Sequence, residues 1–510
     1  MIIEILLALC LLGAAVVFVL PDDYAPVGAL AASLFPLVTS FLMWFGFDGS
    51  GNAFLDGGTL AYDTMVEWIS LGPYAINWHV GVDGISMPLV VLTTVLTTLA
   101  ILTAWTPIDE RRSQFYGLVL FLEAGLLGVF VALDFFAWLV FWEAVLVPMY
   151  MLIGVWGGPR RKYAAIKFFV YTNVATLVMF LGFVGLVFGL GDAVTSLDMP
   201  AIAQQLRAGE LGSLGGVGPE TLKLAAFVAM FAGFAVKVPI VPVHTWLPDA
   251  HVEAPTPASV LLAGVLLKMG TYALLRFNFT MLPDVAADLA PFIAILAVVS
   301  VIYGAMLALA QQDLKRIVAY SSISSMGFVI LGLVAYTEFG LGGATFQMIS
   351  HGLLSGLLFA CVGVIYNTTH SRMVGDMTGL ADRMPVTVTA FIAGSFGYMG
   401  LPFMAGFMGE YFIFQGSFAA DFAGSMIYTA IAMFGIVIVA GYLLYAMQRT
   451  LFGEFRLDTD YTIGRAAFHD VVPLAVLIVC IIGLGTAPDV FFGMIQDAVG
   501  PLLDGVGGGA

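Results

Sequence analysis

The stretch FAVKVPIVPVHTWLPDAH, residues 234–251, decides the fold. It begins as an apolar run, then places Lys237 two residues before Pro239, with Pro242 and Pro248 close behind. Proline removes a backbone donor and breaks a helix interior. Freed carbonyls at membrane depth are tolerated only inside protein or beside a water-filled cavity. A lysine at a helix centre costs about 2.5–3.5 kcal/mol on insertion scales. The stretch therefore predicts a helix broken beside a buried cation, inside a bundle of many membrane helices.

The rest of the chain agrees. Of 510 residues, 61% are hydrophobic and 10% charged, against about 25% charged in soluble domains. Apolar runs long enough to span a bilayer recur from end to end, and the short alternating segments of an outer-membrane barrel are missing. The run 2–20 carries Glu4 and no basic leader segment, so it is expected to be the first span rather than a removed signal. Cys10, Cys361 and Cys480 lie in separate apolar runs without a CxxC, which argues against a disulfide framework or an iron–sulfur cluster in this chain.

The expected fold is an all-α polytopic membrane protein of about 14 transmembrane helices. The predicted spans are 2–20, 27–46, 84–105, 115–133, 135–156, 164–190, 222–243, 256–277, 287–310, 314–336, 341–367, 386–415, 423–447 and 470–490. The segments 47–83 and 191–221 do not span, and the second suggests a short surface helix followed by a Gly-rich loop. With both termini outside, the inner loops hold Arg111, Arg112, Arg160, Arg161, Lys162, Lys315, Arg316, Arg372, Arg383, Arg449, Arg456 and Arg465. The outer side holds Arg207 and Lys223, with Arg276 near a span end. That asymmetry fits the positive-inside rule and supports the span count independently.

Span 12 repeats the pattern of span 7: Pro402 interrupts a Gly/Met-rich run, and Glu410 follows. Five spans separate the two breaks, and a shift of five reverses insertion direction. Spans 4–8 and 9–13 are thus expected to be inverted five-helix repeats with broken helices 7 and 12, the arrangement that best marks a transport site. The corresponding segments are 1–110, 111–280, 281–450 and 451–510.

Six ionisable residues fall inside predicted spans: Glu123, Glu143, Lys237, Lys268, His351 and Glu410. Any one of the Glu or Lys residues alone could be half of a structural ion pair, and His351 alone a satisfied core histidine. As a set of both signs along the middle of the chain they point to ion transport. Burial disfavours a charged lysine and a nearby carboxylate favours it. A lysine whose carboxylate partner moves away therefore releases a proton and rebinds one when the partner returns. Glu143 and Lys237 have the chemistry of such a pair, with Lys268, His351 and Glu410 to carry the proton onward. Tyr150, Ser321, Ser322, Ser324, Ser325, Thr345 and Ser350 are candidates to hold water. His244, Asp249, His251 and Glu253 lack the helical i, i+4 register of a metal site and are read as turn residues; haem and nucleotide motifs are not present.

The run KVPIVPVHTWLPDAHVEAPTPASVLLAGVLLKMGTYALLRF (237–277) resembles the signature of the antiporter-like subunits of respiratory complex I and of Mrp-type cation/proton antiporters. QQDLKRIVAYSSISSMGFV (311–329), FQMISHGLLSGLLF (346–359) and GLPFMAGFMGEYFIF (400–414) match the same family; WHVGVDGISMPLVVLT (78–93) suits its subunit M and L branches, and the chain most resembles the M branch, counterpart of mitochondrial subunit 4. The resemblance covers about residues 75–450. It implies a proton pathway through Glu143, Lys237, Lys268, His351 and Glu410, with Glu123 accessory. Ser325 stands where the family often has histidine: either a water held there bridges span 8 to span 11, or the relay runs differently. The resemblance also implies an inner bacterial membrane location with both termini periplasmic, and no cofactor in this chain, with NADH, FMN, iron–sulfur clusters and quinone in other subunits. The implied partners are the antiporter-like subunits L and N, a lateral helix of L, and lipids. An Mrp-type sodium/proton antiporter subunit is the alternative.

Overall fold

The computed structural model describes residues 1–505 apart from 56, 73, 460, 462 and 465. Arg465, counted above with the inner cations, and the last residues of the 451–510 segment lie outside the described residues.

Helices α1 (Ile2–Val19) and α2 (Ala25–Phe45) lead into an antiparallel hairpin, β1 (Ala61–Leu71) and β2 (Tyr74–Val82). There follow α3 (Ser86–Thr103), α4 (Arg112–Val131), α5 (Phe135–Trp156), α6 (Arg161–Leu190), the short α7 (Met199–Arg207) and α8 (Pro219–Lys237). A short α9 (Trp246–Glu253) connects to α10 (Thr256–Thr280), followed by α11 (Pro283–Asp288), α12 (Ala290–Leu309), α13 (Leu314–Ala335) and α14 (Glu338–Thr369). The chain ends with α15 (Pro385–Tyr398), α16 (Ala405–Phe418), α17 (Ser425–Thr450), α18 (Phe468–Thr486) and α19 (Asp489–Val499). Among the described residues, 13 helices are long and apolar enough to cross a membrane. The pair α15 and α16, of 14 residues each, fills the predicted twelfth span on either side of a break at 399–404. The fold is thus the expected helical membrane bundle, with these 13 helices and the broken pair α15–α16 at the positions of the fourteen expected spans.

Which helices sit inside follows from which carry polar groups. The most apolar windows of α10 and α14 are wholly buried and that of α13 nearly so, whereas α1, α2, α17 and α18 leave broad faces uncovered. Leu181, Phe434 and Val479 are among the large apolar side chains on the outer girdle. Lipid satisfies no polar group, so the helices bearing Lys268, the serines of 321–325, and Gln347 with His351 must be enclosed by the others. α14 packs against α13 on one side and α15, α16 and α18 elsewhere, which makes it the central post.

Three segments differ from the sequence reading. HTWLPDAH, expected as a turn, contains most of α9: Pro248 sits in its first turn, where a missing N–H costs no hydrogen bond. Segment 47–83, read only as non-spanning, holds the hairpin β1–β2. Beyond the fourteenth crossing, α19 lies against α14, and Asp497 and the Ala498 carbonyl bind Gly51 N and Asn52 Nδ2 of the first loop. The expected surface helix in 191–221 is α7, capped by the Asp198 carboxylate.

The hairpin is pinned by His79. Its Nδ1 meets Asp198 and its Nε2 lies 3.0 Å from Asp63 Oδ1. Burial alone would lower the proton affinity of this imidazole, but the two carboxylates outweigh burial and raise it above the ordinary histidine value.

Candidate functional site

The breaks place the charges. Helix α8 ends at Lys237, buried, with Nζ 4.7 Å from the centre of the Trp142 ring. Glu143, next to that tryptophan, is near enough to act on Lys237 electrostatically, yet the two groups form no direct ion pair. Lys237 Nζ and Glu143 Oε1 have no hydrogen-bond partner among the described residues. The lysine is held over an aromatic face, an attraction suited to a cation, and stands apart from its carboxylate.

From Lys237 the geometry leads to α10. A Cβ on Gly270 would come within 3.0 Å of Val238 N and 3.1 Å of Lys237 Cβ, so only glycine lets the end of α8 approach α10 within a turn of Lys268. Helix α10 widens into π turns at Leu262–Leu266 and Leu274–Thr280, on either side of Lys268. Such turns loosen the backbone ladder and mark functional sites. The Ala263 carbonyl, in the first of them, accepts from Lys268 Nζ at 2.5 Å.

Lys268 Nζ also lies 2.6 Å from His351 Nδ1 on α14. This contact depends on a second close approach: a Cβ on Gly352 would fall 2.7 Å from the Gly264 carbonyl oxygen. Two glycines bring the backbones together, and the residues beside them, Lys268 and His351, meet directly. Ser325 forms no hydrogen bond to either, so no serine-held bridge is needed between them. The serines that face onward are one turn earlier, Ser321 and Ser322, with Ser355 opposite. These serines face Tyr398, whose ring packs edge-on against His351 at 5.7 Å.

Glu410 lies on α16, in the second turn after the break, with Oε2 against Gly400. It lines a cavity of about 770 Å³ walled by Phe407, Tyr411, Phe414 and Met433. Glu123 is elsewhere: on α4, fully buried, beside Cys10 of α1 and touching none of the other five.

At the cationic end of the bundle, Asp249 gathers Lys167 at 2.8 Å, Arg316 at 3.0 Å and Arg160 at 3.4 Å, and Glu253 Oε2 accepts from Arg160 N. These carboxylates are engaged by cations. His251 is stacked on Phe359 at 4.5 Å and neither ring nitrogen has a partner among the described residues. A cavity of about 480 Å³ lies nearby, lined by Glu253, Asp313, Lys315 and Arg372. At the opposite end, Arg276 Nη2 pairs with Asp83 Oδ1 at 2.5 Å, with both side chains about 1% exposed. Asp83 also accepts from Ala53, Ile85 and Ser86 N, and the Arg276 guanidinium lies over Phe54 and Tyr272. Asp83 is the aspartate of GVDGIS, and sequence reasoning gave it no role. The signal available was a lone acid in an apolar motif together with a lone arginine at a span end.

The buried Lys268–His351 contact, flanked by π turns and by two broken helices that carry Lys237 and Glu410, is the arrangement expected of a transport site in a helical membrane protein of the antiporter type. Residues 132–439 match the family described as NADH:quinone oxidoreductase/Mrp antiporter, TM. The chain is 39% identical over 494 residues to NAD(P)H-quinone oxidoreductase chain 4 3 of Trichormus variabilis, covering 95% of this chain and 88% of that one. It is 40% identical over 482 residues to NADH-quinone oxidoreductase subunit M of Rhodobacter capsulatus, covering 93% and 88%. The protein belongs to the NADH:quinone oxidoreductase/Mrp antiporter family. Its fold is shared by a chain of respiratory complex I from Thermus thermophilus (TM-score 0.86, 24% identity, 100% of both chains). A chain of the Mrp complex from Dietzia sp. shares it too (TM-score 0.83, 19% identity, 99% and 97%).

Proposed function

We propose that this chain is the proton-translocating membrane-arm subunit of a respiratory NADH:quinone oxidoreductase. The observation that carries the reading is the 2.6 Å contact between Lys268 Nζ and His351 Nδ1 inside two wholly buried helix segments. A basic pair so placed shares a proton and has no route to solvent except through neighbouring groups. Lys237 feeds that pair when Glu143 no longer holds its charge, and Glu410 receives the proton on the far side. Each charge moved against the field costs about 2.3 kcal/mol per 100 mV, so redox energy is coupled in from elsewhere in the complex.

In this reading NADH, FMN, iron–sulfur clusters and quinone act in other subunits. Related antiporter-like subunits flank this one in the membrane plane, and a lateral helix crosses its inner half. The cationic loops face the inside of a bacterial inner membrane, with both termini outside. Helices α4–α10 and α12–α17 form the two inverted units. The relatives aligned over nine-tenths of the chain are quinone oxidoreductase chains at about 40% identity, whereas the Mrp complex chain is 19% identical, which favours this reading over an Mrp-type antiporter.

The test is Glu143→Ala and Lys237→Ala in the assembled complex. Proton-coupled NADH oxidation is expected to be lost while the complex still co-purifies. Undiminished coupled oxidation in both variants overturns the reading.

A further inference from the structure

The contact chain described above stops at His351 Nε2, which has no hydrogen-bond partner among the described residues, as has Glu410 Oε2. Between them stand two phenols that the motif resemblance does not include. Tyr398 is the last residue of α15, immediately before the break. Tyr442 comes from α17. The two side chains are 4% and 1% exposed, and neither hydroxyl has a hydrogen-bond partner among the described residues.

A buried phenol without a partner costs about 1–3 kcal/mol in general, and such groups are normally satisfied by an internal water. The surroundings suit water. Tyr398 faces the hydroxyls of Ser321, Ser322 and Ser355; Tyr442 faces Ser321; and both phenols are within electrostatic reach of Glu410. Gln347, one turn before His351 on α14, adds a further buried acceptor without a partner. The break fixes the order in space. Tyr398 packs on His351, and two residues later Gly400 packs on Glu410.

We propose that Tyr398 and Tyr442 hold a short internal water chain that carries the proton from His351 to Glu410. His351 gives up the proton on Nε2. Each phenol or water accepts one proton on oxygen and passes another on. One Glu410 oxygen ends protonated, and the phenols and waters are unchanged. The tyrosines are positioning residues whose hydroxyls anchor the water. This inference rests on the pathway proposed above and names its unassigned middle segment.

The experiment uses the intact complex reconstituted in proteoliposomes, comparing Tyr398→Phe, Tyr442→Phe, the double variant, and Lys268→Ala as reference. Phenylalanine keeps the ring packing, so assembly and quinone binding should hold. The double variant is expected to lower the initial rate of proton translocation about tenfold and to enlarge the solvent deuterium isotope effect, which a purely structural role would leave unmoved. Water density at the two phenol oxygens in a high-resolution map of the parent, lost in the double variant, supports the same assignment. A double variant that pumps at the parental rate with an unchanged isotope effect, while Lys268→Ala is impaired, overturns the water chain and leaves the wider reading standing. If Lys268→Ala also pumps normally, both fall.

Discussion

Gly352→Ala tests the claim that two glycines set the distance between Lys268 and His351. The new Cβ would lie 2.7 Å from the Gly264 carbonyl oxygen and 2.8 Å from Leu92 Cδ2. The leucine can rotate away; the carbonyl, part of the α10 backbone, cannot. A carbon–oxygen contact relaxes to about 3.3 Å or more, so α10 and α14 must part by about 0.6 Å. If the side chains follow their backbones, the 2.6 Å contact opens to about 3.2 Å, the outer limit of a good hydrogen bond. Hydrogen bonds to charged groups contribute about 1.5–3 kcal/mol. Losing about 1–1.4 kcal/mol of that slows a proton step by roughly five- to tenfold. The assay is NADH-driven acidification of proteoliposomes containing the complex, with Gly356→Ala as control. There the new Cβ meets side chains alone, Leu96 at 3.1 Å and Val260 and Leu477 at ordinary contact distances of 3.7 and 4.0 Å. Gly352→Ala is expected to pump five- to tenfold more slowly and the control to stay near the parental rate. Equal rates in all three proteins, with the Gly352→Ala helices displaced in a map, would refute the distance argument.

Other outcomes follow from the same structure. Asp83→Ala strands Arg276 without its counter-charge in a buried site and should destabilise the subunit by about 3–5 kcal/mol, read as a large drop in the thermal midpoint of the complex; the pair replaced by Leu and Met should cost much less. His79 titrates with a folded-state affinity raised above the unfolded value of about 6.5. Its contribution is full below that pH and is lost as pH rises through the folded value. Thermal stability should therefore decline from pH 6 to 9 more steeply in the parent than in His79→Gln. Asp249→Ala releases Lys167, Arg316 and Arg160 at a partly exposed site, so detergent stability should fall by about 1 kcal/mol at low ionic strength and by less in high salt.

The parts that were legible in the sequence share one property: the signal is local. A lysine beside a proline and an acid inside an apolar run read directly as a break and a buried charge. The parts that were not legible depend on pairings distant in the chain. Gly264 and Gly352 look like two of many glycines until α10 and α14 are laid together, and only then does Lys268 reach His351 without Ser325. Tyr398 and Tyr442 read as ordinary aromatics because their hydroxyl surroundings come from α13 and α14. Prolines misled in one place, since Pro248 opens α9 where a turn was expected. The strands at 61–82 carry little regular alternation, and their pairing shows only when both are seen together.

Enclosing the polar helices at the centre also bears on how the chain is made. A segment such as α10, carrying Lys268 and Arg276, gains little from entering lipid by itself, because each charge cancels several apolar residues on insertion scales. α14 has the same handicap with Gln347 and His351. The apolar outer helices face no such barrier. Correct insertion of the middle of this chain thus depends on neighbours already in the bilayer, and the glycine contacts that later align the pathway are also the surfaces against which those late helices come to rest.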